Sequence, residues 1–365
     1  MSKNKYKIII MIVISLLCII FVYNDHFLYK TPILKVTKVE NKLESTDYNN
    51  EEHYEQTITG IVMNGKYKGN VLKTTNRYSK SLVYGDKIEK NDELLVKLSK
   101  NGKQIINIDN FKRDKYIAIL IIIFFDLILL IAGKKGIKTL ISFITNVLLT
   151  VFAILIFNNN PSINMLGLYF IISIIFIIFS LFITNGKSKK TLSAIVSSLI
   201  SLLISFGLSF ILMQTYGKNL NIWSMEYIDV VHDYYNYFYV CILLCGLGAI
   251  MDIAITISSS LNELIEKNNK IDKKDLLKSG KVISKDIVGT MINVMLFTCF
   301  TSVIPTVLLA LKNGMPLASA LDFYADLELT IVLCNCVGIA LTIPISLFIS
   351  ILILNNSRKA VIKHE

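Results

Sequence analysis

Seven long apolar runs follow residue 115, and they constrain the fold of this chain more than any other feature. Each is long enough to cross the hydrocarbon core of a bilayer as a helix. They cover residues 116–132, 137–157, 163–184, 191–215, 237–260, 287–311 and 327–354. Residues 8–23 form a further apolar run behind a basic start, and no small-residue cleavage site follows it, so we interpret this run as a signal anchor. The sequence therefore predicts an α-helical polytopic membrane protein with about eight transmembrane helices.

The basic residues predict the orientation of these helices. The net charge is +11, which by itself would also suit a nucleic-acid-binding protein. The lysines, however, cluster in every second connection: near the N-terminus, at Lys134 and Lys135, at Lys189 and Lys190, and between residues 267 and 285. This is the positive-inside pattern, so we expect a plasma-membrane protein with both termini in the cytoplasm and no nucleic-acid partner.

Residues 24–115 differ from the rest of the chain and predict a small all-β domain outside the cytoplasm, between the first and second helices. Short runs of alternating apolar residues predict strands: ILKVTKV, QTITGIVM, NVLKTT, LLVKLS and QIINID. The predicted turns between them are Asn64-Gly65, Gly69-Asn70, Gly85-Asp86 and Asn101-Gly102. Five short strands favour a small barrel, with the OB fold as one candidate. The predicted domains are thus residues 1–23, 24–115, 116–354 and a basic cytoplasmic tail at 355–365.

Two longer connections interrupt the membrane region. Residues 216–236 are predicted to lie outside, with Trp223 at the level of the lipid headgroups. Residues 261–285 are predicted to lie inside and to form a short helix that begins after Asp272 and ends at Gly280.

Polar side chains inside the apolar runs are the candidate functional residues. In the run that contains Asp252, five of them share one face of a helix, and we expect this face to be buried between helices because a carboxylate in lipid costs several kcal/mol. The two final runs carry polar residues at helical spacing as well. The predicted intramembrane seam consists of Asp252, Thr256, Ser259, Ser260, Glu263, Asp286, Thr290, Asn293, Glu328 and Asn335. The alternative is a hydrogen-bonded contact that only holds helices together.

Asp126, in the second run, is a further intramembrane carboxylate. A paired structural role for it is at least as well supported as a functional one.

Three blocks of the sequence resemble the YibE/F family of bacterial multi-pass membrane proteins. They are GLGAIMDIAITISSSLNEL, LLKSGKVISKDIVGTMINVMLF and GIALTIPIS, and the blocks ITGIVMNGKYKG and FKRDKY with GKKGIKTLISF resemble it too. The resemblance covers the chain from about residue 57 to its end. It implies the multi-pass architecture, and it implies no defined biochemical activity.

Three classes of function compete on this sequence. A permease or exporter component would use the polar faces of the late helices, as secondary transporters do near the midplane. A scaffold or assembly factor would use the outer β-domain to bind an envelope partner. An enzyme is the least favoured, because GxGD, HExxH and Walker motifs are absent and no histidine lies in a run. We expect transport, with no catalytic residue, metal or cofactor, and with the bilayer and a second membrane subunit or a homo-oligomer as partners.

Overall fold

The computed structural model describes residues 3–48, 50–99, 101–216, 220, 234–268 and 271–362. They form two compact units, Met1–Gly136 and Ile137–Glu365. The helices are α1 (Lys3–Tyr23), α2 (Asp114–Asn159), α3 (Met165–Asn185), α4 (Lys189–Tyr216), α5 (Tyr234–Cys245), α6 (Leu247–Lys267), α7 (Lys273–Lys312), α8 (Leu317–Tyr324) and α9 (Asp326–Ile362). The predicted outside connection with Trp223 falls mostly on residues that lie outside the described ranges.

The first unit contains the predicted β-domain as one antiparallel sheet of five strands. These are β1 (Ile33–Thr46), β2 (Glu52–Val62), β3 (Val71–Ser79), β4 (Glu93–Leu98) and β5 (Ile105–Phe111), in the order β3-β2-β1-β4-β5. All five predicted strands are confirmed. The predicted turns hold as well: Gly85 and Gly102 have φ of +91° and +65°, which a residue with a Cβ rarely adopts.

The core of the sheet is built from alternating apolar residues on each strand. Leu34 and Val36 of β1, Ile58 of β2 and Leu94 of β4 are fully buried. Gln56 is buried among them at 0% exposure, but it is hydrogen-bonded on both sides. Its Nε2 donates to Asn41 Oδ1 and to the Ile88 carbonyl (both 2.9 Å), and its Oε1 accepts from Asn76 Nδ2 (3.0 Å) and the Ile88 amide (2.9 Å). A buried amide satisfied in this way fixes the β2 register relative to the segment before β4.

The helices of the first unit are α1 and the beginning of α2. Asp126 is paired within it, because Ser15 Oγ of α1 donates a hydrogen bond of 2.7 Å to Asp126 Oδ2. Helix α2 is interrupted at Gly133, whose φ of 53° and ψ of −124° are not helical. By Gly136 the backbone has folded back so far that a Cβ there would lie 2.6 Å from the Ile128 carbonyl oxygen. The break lies in residues 133–136 (GKKG), the predicted connection between the first two apolar runs after residue 115.

Six helices of the described chain are long and apolar enough to cross a membrane. They are Asp114–Asn159, Met165–Asn185, Lys189–Thr215, Tyr235–Lys267, Lys273–Lys312 and Asp326–Leu354. The apolar part of α1, Ile9–Tyr23, is shorter. In the second unit α4, α6 and α9 pack against one another at the centre, with Ile250, Ala254 and Ile339 buried in their contacts.

The prediction of a separate short helix ending at Gly280 is wrong. Helix α7 runs without a break from Lys273 to Lys312, and Asp272 stands at its N-cap position without a side-chain capping bond. Gly280 packs against the Leu347 side chain of α9, and a Cβ at this position would come within 2.3 Å of that side chain. Glycine thus allows α7 and α9 to approach closely, a use that the sequence does not distinguish from a helix end.

Candidate functional site

The predicted polar face of α6 exists, but it lies on the outside of the second unit. Asp252, Thr256 and Glu263 are exposed, and Ser259 and Ser260 are half-buried. The opposite side of α6 forms the core contact, through Leu247, Ile250, Ile253, Ala254, Ile257, Ser258 and Leu261. The described helices of the second unit therefore do not cover this face. The apolar residues of α6 occupy the core, because burying apolar side chains stabilises the fold whereas burying an unpaired carboxylate destabilises it.

The polar residues of α7 are exposed as well. Asp286, Thr290 and Asn293 all lie on the surface of the second unit. Thr290 Oγ1 donates 3.1 Å to the Asp286 carbonyl one turn earlier, which is a local bond within α7. The described hydrogen bonds and ion pairs include none that joins Asp252 to Asn293. Asp252 and Asn293 are therefore not joined by a hydrogen bond among the residues that the structure describes.

The two predicted residues of α9 have different environments. Glu328 is exposed. Asn335 is 3% exposed, and its Nδ2 donates 2.9 Å to the Ile331 carbonyl. It serves helix packing, since a Cβ on Gly246 would lie 2.1 Å from Asn335 Oδ1.

A second polar seam, absent from the sequence prediction, is buried between α4 and α9. On α4 a serine occurs at every fourth position, and all five are 5% exposed or less: Ser193, Ser197, Ser201, Ser205 and Ser209. On α9 the residues at the same spacing are Gly338, Thr342, Ser346 and Ser350, which are also buried. We call these nine residues the hydroxyl ladder. A repeat of four puts each set on one side of its helix, and small residues there allow close packing in a membrane.

The hydroxyl ladder begins in a triad of serines from three helices. Ser193 Oγ of α4 donates 2.9 Å to Ser350 Oγ of α9, and Ser258 Oγ of α6 lies 2.9 Å from Ser350 Oγ and 3.3 Å from Ser193 Oγ. All three are 0% exposed. The two sides of α6 are thus polar in different ways, with a hydroxyl inside the core and carboxylates outside it.

Four hydroxyls in or beside the ladder have no hydrogen-bond partner among the described residues: Ser197, Ser198, Ser201 and Ser346. Each of these serines is 0% exposed. An unsatisfied buried hydroxyl costs about 1–3 kcal/mol relative to one that is paired. Alanine would provide the same close packing without this cost.

The first unit contains a buried ion cluster that was not predicted from the sequence. Lys112 Nζ, after β5, lies 2.7 Å from Asp25 Oδ1, 2.9 Å from Asp114 Oδ2 and 3.8 Å from Glu93 Oε2. The Lys112 side chain is 1% exposed. His26 Nε2 extends the cluster, 3.3 Å from Glu93 Oε1. These residues come from the segment after α1, from β4 and from the start of α2, so they fix the ends of both helices to the sheet.

The surroundings of the cluster change its titration. Burial raises the pKa of Tyr29 to about 12, and so does the hydrogen bond of 2.8 Å that its hydroxyl donates to Asp114 Oδ2. Burial also raises the pKa of Asp25 above its ordinary value, against the opposing effect of Lys112. For Lys112, burial acts to lower the pKa, but the contacts with Asp25 and Asp114 outweigh it, so the pKa is raised. Lys112 is therefore held in its charged form.

Among the described residues, no group of three or more His, Cys, Asp or Glu side chains is arranged to bind a metal ion.

Comparison with protein families assigns the chain. Residues 120–356 match the model described as YibE/F-like protein, and residues 27–111 match the YibE/F family N-terminal domain. The chain belongs to the YibE/F-like family. The first match covers the helices from α2 to α9 and the second covers the five-stranded sheet, so the sequence resemblance is confirmed over nearly the whole YibE/F-like chain. No curated protein and no solved structure matches this chain.

Proposed function

We propose that this protein is a permease or exporter component of the plasma membrane, with its solute path along the outer face of α6, α7 and α9. One observation carries the proposal: Asp252 is exposed on the side of α6 that faces away from the core, within an apolar membrane-length segment. A charged side chain in lipid costs at least about 2.5–3.5 kcal/mol on insertion scales, so such a residue normally faces water, a counter-ion or protein.

The charge of this face favours a cation or a proton as the transported or coupling ion. Asp252 and Glu328 lie within the apolar segments, whereas Asp286 precedes one and directly follows Lys285. Residues 246–266, 287–311 and 326–354 contain no Lys, Arg or His. A carboxylate without a basic neighbour is stabilised in a membrane by protonation or by a bound cation.

The exposed face also supports a partner in the membrane. A solute path along the surface of the second unit needs a second wall, and a second membrane subunit or another copy of the chain would supply it. In the topology that we propose, both termini are cytoplasmic and α2 spans the membrane twice. The break at Gly133 and the positive-inside lysines support it, and with α1 the chain then crosses eight times.

The second candidate function is a scaffold or assembly role of the outer β-domain. A concave pocket of about 530 Å³ supports it, lined by residues that include Tyr67, Lys97 and Asp109. The strand order, with β1 between β2 and β4, is consistent with an OB barrel, a fold that often binds elongated polymers. Its occupant would be an envelope partner. We propose no enzymatic activity for either unit.

Flux through purified protein in liposomes tests the transport proposal. We would measure cation and proton movement for the wild type and for Asp252→Asn, which removes the charge and keeps the side-chain volume. We expect flux in the wild type and at least a tenfold lower rate in Asp252→Asn. Asp322→Asn is the matched control, because Asp322 is exposed on the short helix α8, outside the membrane-length segments. Wild-type flux in Asp252→Asn would show that the α6 face is not the path.

A further inference from the structure

A groove between the start of α7 and the second half of α9 combines apolar side chains with two lysines. It has a volume of about 450 Å³ and belongs wholly to the second unit. Residues at every fourth position line it on each helix: Lys273, Leu277 and Lys281 on α7, and Pro344, Phe348 and Leu352 on α9. The groove is open, since Phe348 is 66% exposed and Leu352 is 42% exposed. The described helices of the second unit thus leave apolar side chains of the groove uncovered.

The packing of α7 against α9 puts the groove at one surface of the membrane. Gly280, near the beginning of α7, packs against Leu347 in the second half of α9. The end of α7 also packs against the start of α9, so the two helices are antiparallel. Counted from the contact of Gly280 with Leu347, Lys273 is level with Leu354, where the apolar run of α9 ends. Lys273 therefore lies at the level of the lipid headgroups, and the apolar part of the groove lies on the hydrocarbon side of it.

The charge of the groove favours an anionic ligand. Residues 272–285 contain five lysines and two aspartates, and none of the residues that line the groove is acidic. Lys281 begins about 12 Å deeper than Lys273, at 1.5 Å per residue along α7. Side chains of a helix lean towards its N-terminus, which in α7 is the end at the headgroups. The apolar stem of Lys281 can therefore lie along the groove while its ammonium group points towards the level of Lys273.

We propose that this groove binds an anionic phospholipid. Lys273 and Lys281 hold its phosphate. One of its acyl chains covers Phe348 and Leu352. A soluble anion would leave these apolar side chains uncovered, and a zwitterionic lipid would bring its own ammonium group to a groove that has no acidic side chain. Basic pockets between membrane helices bind anionic headgroups in the same way. The C-terminal tail of the chain does not suit the groove, because it is itself basic, with Arg358, Lys359 and Lys363.

Fluorescence quenching by brominated lipids tests the proposal on the full-length protein. The reporter protein carries Phe348→Trp, and Trp223→Phe removes the native tryptophan, so the fluorescence comes from the groove alone. It is reconstituted in phosphatidylcholine vesicles that contain a small fraction of brominated phosphatidylglycerol or, for comparison, the same fraction of brominated phosphatidylcholine. We expect phosphatidylglycerol to bind about tenfold more tightly than phosphatidylcholine, because each lysine near the membrane surface attracts an anionic headgroup. Equal quenching by the two lipids would overturn the proposal.

Two pairs of lysine substitutions separate the groove from the general charge of α7. In the reporter protein, Lys273→Gln/Lys281→Gln should abolish the preference for phosphatidylglycerol. Lys274→Gln/Lys278→Gln is the matched control, because these lysines belong to the same part of α7 and do not line the groove. All four side chains are exposed, so the fold should be retained in both variants. A preference that survives the first pair of substitutions, or that is lost equally with the second, would overturn the assignment.

Vesicles made entirely of brominated phosphatidylcholine test whether lipid reaches the groove at all. We expect these vesicles to quench the reporter protein strongly. A reporter that they do not quench would be covered by protein, which would overturn the lipid site and indicate a second copy of the chain as the occupant. The groove is separate from the solute path proposed at Asp252, so Asp252→Asn should keep the preference for phosphatidylglycerol, and the two proposals can fail separately.

Discussion

Replacing Lys112 by methionine should strongly destabilise the first unit, because Lys112 is the cation at the centre of the buried ion cluster. Its Nζ lies 2.7 Å from Asp25 Oδ1 and 2.9 Å from Asp114 Oδ2, and its side chain is 1% exposed. Methionine keeps the length of the side chain but leaves the carboxylates facing an apolar group. Removing one partner of a buried ion pair typically costs about 3–5 kcal/mol, most of it from the charge left unpaired.

Hydrogen exchange measured by mass spectrometry on the full-length protein is the suitable assay. Amides of β1 and β4 exchange through opening of the sheet, and every 1.4 kcal/mol changes an equilibrium constant tenfold. The expected loss therefore corresponds to exchange that is faster by roughly 10²- to 4 × 10³-fold. Lys97→Met is the control, since Lys97 is an exposed lysine on the neighbouring β4 strand, and it should leave exchange nearly unchanged.

A double variant separates the charge from the packing of Lys112. Lys112→Met/Asp25→Asn removes one of the carboxylates that Lys112→Met leaves unpaired, so part of the lost protection should return. Unchanged exchange in Lys112→Met would refute the reasoning that the cluster is buried and stabilising. Equal exchange in the single and double variants would assign the loss to packing alone.

Three further predictions concern other parts of the molecule. Tyr29 should ionise at about pH 12 instead of near 10, which the absorbance difference at 295 nm between wild type and Tyr29→Phe would measure. The stability that the Tyr29 hydroxyl contributes is complete below pH 10 and is lost as the pH rises to 12. A titration midpoint near pH 10 would contradict the buried hydrogen bond to Asp114. Gln56→Leu should lower the hydrogen-exchange protection of β2 by at least about tenfold. The reason is that the Ile88 amide and carbonyl each lose a hydrogen-bond partner, and each unpaired buried group costs about 1–3 kcal/mol. Full protection would show that water replaces the side chain. In a cysteine-free variant, a membrane-impermeant thiol reagent added to cells should modify a cysteine placed at Asn70 and not one placed at Lys189, and modification at both positions would contradict the proposed topology.

The β-domain was predictable from sequence because its signals are local. Alternation of apolar residues marks each strand, and glycines with positive φ mark turns, so all five strands appear where the pattern places them. The buried ion cluster was not predictable. Asp25, Glu93 and Lys112 are far apart in sequence, and nothing in their local surroundings distinguishes them from the exposed charges of the same domain.

The candidate site shows a different limit of sequence reasoning. Helical periodicity correctly puts Asp252 and Thr256 on one face of α6, but it does not say whether that face is turned inward or outward. The direction in which the polar face points depends on the opposite face of α6, whose apolar residues, such as Leu261 (1% exposed), are buried in the core. The hydroxyl ladder, in contrast, has a signal in the sequence: a serine at every fourth position of α4 from Ser193 to Ser209. The signal is visible without a structure, although the partner helix is not.

The fixed pairing within the ladder has a consequence for how related sequences can change. Ser205 and Gly338 are so close that a larger side chain at one position requires a smaller side chain at the other. Substitutions in family members should therefore occur in pairs across α4 and α9, with a bulkier residue at one position accompanied by a smaller one at its counterpart. Insertions or deletions within one of these helices should be rare unless the other helix carries a matching change, because a shift of one residue would turn every remaining rung away from its partner.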